Sequence, residues 1–83
     1  MVAHVLTLIG KPGCHLCDDA RTTIHSVIDD LGDARVDVEE RSILEEPALF
    51  DRYAEEIPVV LVDGKVHTYW RVDPTRLRSA LLQ

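Results

Sequence analysis

Eighty-three residues with a net charge of −6 allow one domain with a small core, and are too acidic to suit a nucleic-acid or anionic-membrane surface. Hydrophobic residues make up 46% of the chain and aromatics only 5%, so aliphatic side chains must supply most of the packing. Two cysteines are too few for a small secreted disulfide framework, and no apolar run follows a basic leader or reaches membrane-spanning length, so a cytoplasmic single domain over residues 1–83 is expected.

Val5-Leu6-Thr7-Leu8-Ile9 is short, branched and uncharged, the pattern of a buried first strand, and Gly10-Lys11-Pro12-Gly13 breaks it. Leu16, Cys17, Ala20, Ile24, Val27, Ile28 and Leu31 then recur at threes and fours, with Asp18, Asp19, Arg21, Thr22, Asp29 and Asp30 elsewhere. That spacing predicts an amphipathic helix over 15–31, stopped by Gly32. Ala34, Val36 and Val38 alternate with Arg35, Asp37 and Glu39, a strand with a polar face suited to a sheet edge. Glu46-Pro47 marks a second helix start, with proline at the first helical position and Leu49, Phe50 and Tyr53 on the buried side, running roughly to Glu55. A rival start, with Ser42 and Glu45 as a capping box, puts Pro47 inside the helix. Ile57 to Val62 reads as a third strand, too apolar for an edge, and Asp63-Gly64 as the hairpin turn into a fourth strand over 65–69. Asp73 caps a last helix that Pro74 opens, with Leu77, Ala80 and Leu81 inward. The order is βαβαββα, and the first crossover should be right-handed.

Cys14-His15-Leu16-Cys17 carries the chemistry. Two thiols at i, i+3 astride a helix start lie within one turn, close enough to join without backbone movement. Cys14 precedes the helix, where unpaired N–H groups and the positive dipole end favour a thiolate; Lys11 assists, while Asp18 and Asp19 oppose. Cys17 falls on the apolar stripe and should be partly covered. That asymmetry describes a reversible redox-active disulfide, with Cys14 as nucleophile and Cys17 as resolving thiol. His15, between the two, either tunes the sulfurs or is merely solvated. Two other readings stand beside this one. A redox-inactive interaction module could retain the motif, or a dimeric iron–sulfur or zinc redoxin could share an ion between two chains. A zinc site within one chain is not expected, because His4, His15, His25 and His67 repeat no Cys/His pair at zinc spacing.

With this C-x-x-C after the first strand and Ile57-Pro58 opening the third, the chain resembles thioredoxin-fold proteins of glutaredoxin size over nearly its whole length. The succession Glu46-Pro47, Tyr53, Ile57-Pro58-Val59-Val60 is similar, more narrowly, to a group of small glutaredoxin-like proteins. The resemblance implies an α/β thioredoxin fold: a four-stranded mixed sheet of order 2-1-3-4, with the first and last helices on one face and the middle helix on the other. It implies a cis Ile57–Pro58 bond facing the dithiol, beside backbone groups that can pair with an extended substrate segment. It also implies a thiol–disulfide oxidoreductase in electron transport, with no stored organic cofactor and with glutathione, another low-molecular-weight thiol or a reductase as electron source. Many glutaredoxins follow the hairpin with a Gly-Gly pair and acids that hold glutathione. Here residues 66–72 hold no glycine, Asp73 is committed to capping, and Tyr69 and Trp70 are bulky. Those departures argue against bound glutathione, although Lys11 matches the basic residue often found before the motif. Tyr69 and Trp70 line a substrate groove or cover the end of the core. The expected partner of this monomer is a disulfide-containing protein or small thiol, with neither nucleic acid nor membrane.

Overall fold

A computed structural model describes residues 4–32 and 36–83. In chain order the elements are β1 (His4–Gly10), α1 (His15–Leu31), β2 (Val36–Ser42), α2 (Pro47–Tyr53), β3 (Val59–Val62), β4 (Lys65–Tyr69) and α3 (Pro74–Leu81). Ala34 and Arg35, expected to begin the second strand, lie outside the described residues. The strands form one sheet of order β2-β1-β3-β4, in which β1 runs parallel to β2 and antiparallel to β3, and β3 is antiparallel to β4.

The unbroken apolar run of β1 follows from covering both faces of a central strand. Leu6 and Leu8 pack with Ala20 and Ile24 of α1, Val60 of β3 and Leu77 and Leu81 of α3. Ile9 turns the other way and meets Ile43, Tyr53 and Val59 beneath α2. Helices therefore cover both faces, α1 and α3 together and α2 alone. Polar alternation in β2 places it at the sheet edge.

Local signals act where they fall. Gly32 ends α1 in the left-handed region at φ 61°, its N–H donating to Asp29 O. Asp63 and Gly64, at φ 54° and 83°, make the hairpin turn. Pro47 opens α2 after Glu46, while Ser42 Oγ accepts the Leu44 N–H at 3.1 Å inside the preceding turn and caps no helix.

Two boundaries differ from the sequence pattern. The second helix ends at Tyr53 rather than near Glu55, and Phe50 is 49% exposed rather than inward. Leu49 and Tyr53 are one turn apart and share the sheet-facing side; Phe50, rotated about 100° from Leu49, overshoots the small patch that this short helix covers. The third strand starts two residues late, at Val59, with Ile57 and Pro58 leading into it. Among the described residues no helix is long and apolar enough to cross a membrane.

Candidate functional site

The sheet brings four pieces of chain to one end. β1 finishes at Gly10, and the Lys11-Pro12-Gly13 turn, with Gly13 at φ 76°, feeds α1. Because Ile9 pairs with Val59 in the antiparallel register, the next step along each strand sets Gly10 opposite Pro58. Val59 in turn pairs with Tyr69, and the Trp70 N–H donates to Pro58 O at 2.7 Å. The mouth of α1, the start of β3 and the end of β4 thus converge.

Cys14 is the N-cap of α1, with extended backbone at φ −100° and ψ 114°. Its Sγ accepts the Cys17 N–H at 3.2 Å, while its carbonyl accepts the Asp18 N–H at 3.0 Å. That sulfur therefore sits at the positive end of the helix and holds a hydrogen bond from its first turn. Cys14 is half-buried and Cys17 fully buried at 1% exposure, both as free thiols.

Cys17 is tucked against the end of β1. A Cβ on Gly10 would lie 2.8 Å from Cys17 Sγ, so only glycine leaves room for that sulfur. Burial pushes the Cys17 thiol up to about 11; its hydrogen bond with Cys14 adds to the rise, and the Lys11 backbone opposes it. Cys17 is held as a neutral thiol beside a more accessible sulfur.

Around these atoms the expected site residues divide. Lys11 is exposed and lines a cavity of about 410 Å³ with Gly10, Cys17, Asp18, Arg21 and Glu40. Pro58 is fully buried, Ile57 is half-buried, and the bond between them is cis. His15 is the first residue of α1 and faces solvent. Trp70 sits at φ 61°, sparsely populated for a bulky residue, tethered by its backbone to Pro58 and by its indole N–H to Glu55 O at 3.3 Å. It is 54% exposed and walls a groove of about 120 Å³ with Leu16, Ala20, Thr23 and Val72. Tyr69 flanks it with ring centroids 6.2 Å apart but does not line that groove.

Two features of the site escaped the sequence pattern. Gly10 reads there as a strand breaker, whereas its role is steric and concerns a residue seven positions away. Arg21 reads as one of several polar helix residues, yet besides its neighbour Asp18 one turn back it bonds Glu40 and so links α1 to β2. Neither the Gly10–Cys17 approach nor the Arg21–Glu40 bridge has a local signature. Among the described residues no three His, Cys, Asp or Glu side chains converge as a metal-ligand set.

A family model described as a glutaredoxin-like domain matches residues 5–82. An uncharacterised protein of Mycobacterium tuberculosis is 32% identical over 74 residues, covering 87% of this chain and 76% of that one. A structural genomics target from X. campestris superimposes with a TM-score of 0.71 at 29% identity, over 92% of this chain and 93% of that one. Oxidised mitochondrial thioredoxin 3 from Saccharomyces cerevisiae superimposes with a TM-score of 0.65 over 99% of this chain and 79% of its own; at 15% identity, that likeness concerns the fold alone.

Proposed function

This chain belongs to the glutaredoxin-like domain family, and on that premise we propose that it is a thiol–disulfide oxidoreductase working through Cys14 and Cys17. The observation that carries the reading is the division of labour between the sulfurs. Cys14 is reachable and bonded at the helix mouth, while Cys17 is buried behind it with its thiol pushed up to about 11.

The Cys14 thiolate attacks one sulfur of a substrate disulfide; the S–S bond breaks and the other sulfur leaves as a thiolate that takes a proton. Cys17 then gives up its proton and attacks Cys14 Sγ, the mixed disulfide breaks, and the second substrate sulfur leaves reduced. Two electrons have moved to the substrate, and the Cys14–Cys17 disulfide remains. A low-molecular-weight thiol or a reductase returns the pair to the dithiol. The high value of Cys17, set first by burial and then by its hydrogen bond with Cys14, suits the sequence of steps. It stays protonated while Cys14 attacks, and the bond between Cys14 and substrate removes the part that Cys14 contributes.

Ile57 and Pro58 form the ledge on which an extended substrate segment rests, and Trp70 and Tyr69 close one side of it. Lys11 and His15 supply positive or polar character near the attacking sulfur. Residues 66–72 carry bulky Tyr69 and Trp70 and no glycine pair, which supports a polypeptide disulfide rather than glutathione as substrate. In this reading the protein acts as a monomer in the cytoplasm.

Purified protein is expected to reduce insulin disulfides with dithiothreitol as electron source. Cys17→Ser is expected to retain a mixed disulfide through residue 14 in cell extract, identified by mass spectrometry. Trapping only through residue 17 in the reciprocal variant, or no insulin reduction, overturns the assignment.

A further inference from the structure

The cavity beside Cys17 is lined by charges of both signs, and most of them are already spoken for. Arg21 donates from Nη1 to Asp18 Oδ1 at 2.9 Å and from Nε to Glu40 Oε1 at 2.7 Å. Arg41 pairs with Glu46 at 2.9 Å and with Glu39 at 3.5 Å. Lys11, on the loop that leads into Cys14, has no carboxylate partner among the described residues, and Glu45 is the one cavity-lining carboxylate left without a cation. On the far side of the helix mouth stand Asp19 and Arg71, lining the groove walled by Trp70, and His15 faces solvent.

Asp18 lies four residues after the N-cap, one turn along α1 from Cys14 and adjacent in sequence to Cys17. Its negative charge is among the influences that raise the Cys17 thiol. Released from Arg21, an aspartate in the first turn is drawn to the same positive helix end that the Cys14 anion uses. Glu40, released from the other arm of the guanidinium, faces the same cavity as Lys11. Each freed carboxylate has an attraction to a group that favours the thiolate.

We propose that Arg21 is a positioning residue of the dithiol: by holding Asp18 and Glu40 it keeps both carboxylates off Lys11 and off the mouth of α1, and so extends the reactivity of Cys14 to lower pH. This rests on the oxidoreductase reading above, and names a residue that sets the pH range of that site. Arginine suits the task because one planar fork engages two carboxylates at once, which lysine does not match. The side chains are about half exposed, so the influence is moderate and screened by salt.

The test follows alkylation of Cys14 by iodoacetamide across pH, at low ionic strength, with the modified residue identified by mass spectrometry. Arg21→Gln is expected to slow the reaction at pH 7 by about two- to threefold and to displace the profile towards alkaline pH, with rates converging at its plateau. Arg21→Lys is expected to fall between that variant and the unmodified protein. Asp18→Asn alone should quicken the reaction, Asp18→Asn with Arg21→Gln should recover part of the original profile, and adding Glu40→Gln to that pair should restore it. A structural loss at Arg21 lowers thermal stability without moving the profile. Superimposable profiles for Arg21→Gln and the unmodified protein, or a triple variant without either carboxylate that stays displaced, overturn the proposal while leaving insulin reduction standing. Failure of Cys14 to alkylate near neutral pH in the unmodified protein sinks both readings.

Discussion

A missing side chain is what lets Cys17 occupy its position. With Cys17 Sγ lying 2.8 Å and Cys17 Cβ 3.2 Å from where a Gly10 Cβ would stand, a methyl group there must displace the Cys17 side chain or the elements that carry it. Because Cys17 is fully buried and its side chain has little room to turn away, Gly10→Ala is expected to cost about 1–3 kcal/mol in urea unfolding. In a Cys17→Ala background the sulfur is gone and the same substitution should cost less, so that the two costs are less than additive between residues seven positions apart. Equal costs in both backgrounds show that the glycine serves something other than the sulfur. The same close approach holds the Cys17 sulfur against the end of β1, where the mechanism proposed above requires it.

Caps and prolines define the elements, and one cap carries a consequence for the binding question. Asp73 Oδ1 accepts the Thr75 N–H at 2.9 Å and the Arg76 N–H at 3.3 Å, tying the carboxylate to the first turn of α3. Asp73→Ala is therefore expected to destabilise the protein by about 1 kcal/mol, read from denaturant midpoints, with amide exchange quickening first in α3. An unchanged midpoint means that the cap contributes nothing. Because that carboxylate is engaged with its own helix, it is poorly placed to greet a ligand's ammonium group. The same substitution should leave insulin reduction almost unaltered. The α2 helix shows the opposite case: Glu46 makes no side-chain cap, so Pro47 and the packing of Leu49 and Tyr53 must hold its start.

At the scale of the whole molecule, two histidines oppose each other across the pH range. Far from the dithiol, His4 Nδ1 meets Asp63 Oδ2 at 2.6 Å and Nε2 lies 2.9 Å from Gln83 O, joining β1 to the hairpin turn and the end of the chain. The hydrogen bond to Asp63, then that to Gln83, raises His4 above its ordinary value of 6.5. Its stabilisation is fully present below 6.5 and is lost as pH rises through the raised folded value. Burial, aided by Arg76, instead lowers His67, whose Nε2 is buried without a hydrogen-bond partner among the described residues. The folded state resists that proton, so stability declines as pH falls from 6.5 through the lowered folded value. Together they place the histidine contribution at its highest near pH 6.5. His4→Gln is expected to flatten the alkaline decline in a Tm series, and His67→Gln the acid decline just below 6.5. Variant profiles that merely run parallel to the original contradict this assignment. Asp63, lowered by the Val5 N–H and then by His4, adds stability above its ordinary 3.8 that is lost as pH falls through its lower folded value.

Periodicity and punctuation, both local properties, determined the order of elements. The stripe from Cys17 to Leu31 (Leu16, expected to begin it, is exposed), the Gly32 stop, the Asp63-Gly64 turn and the two X-Pro helix starts each act within a few residues, so the chain announces them directly. The dithiol was legible for the same reason, since its two members share one helical turn. Sheet order and helix placement were reachable from the sequence through family likeness, because strand pairing joins residues far apart in the chain. What only the tertiary structure decided was contact at a distance: Gly10 beneath Cys17, Trp70 tethered to Pro58 and Glu55, Arg21 bridging to Glu40, and Phe50 left outside. Such contacts depend on where separate elements come to rest, and no spacing within any one of them encodes that.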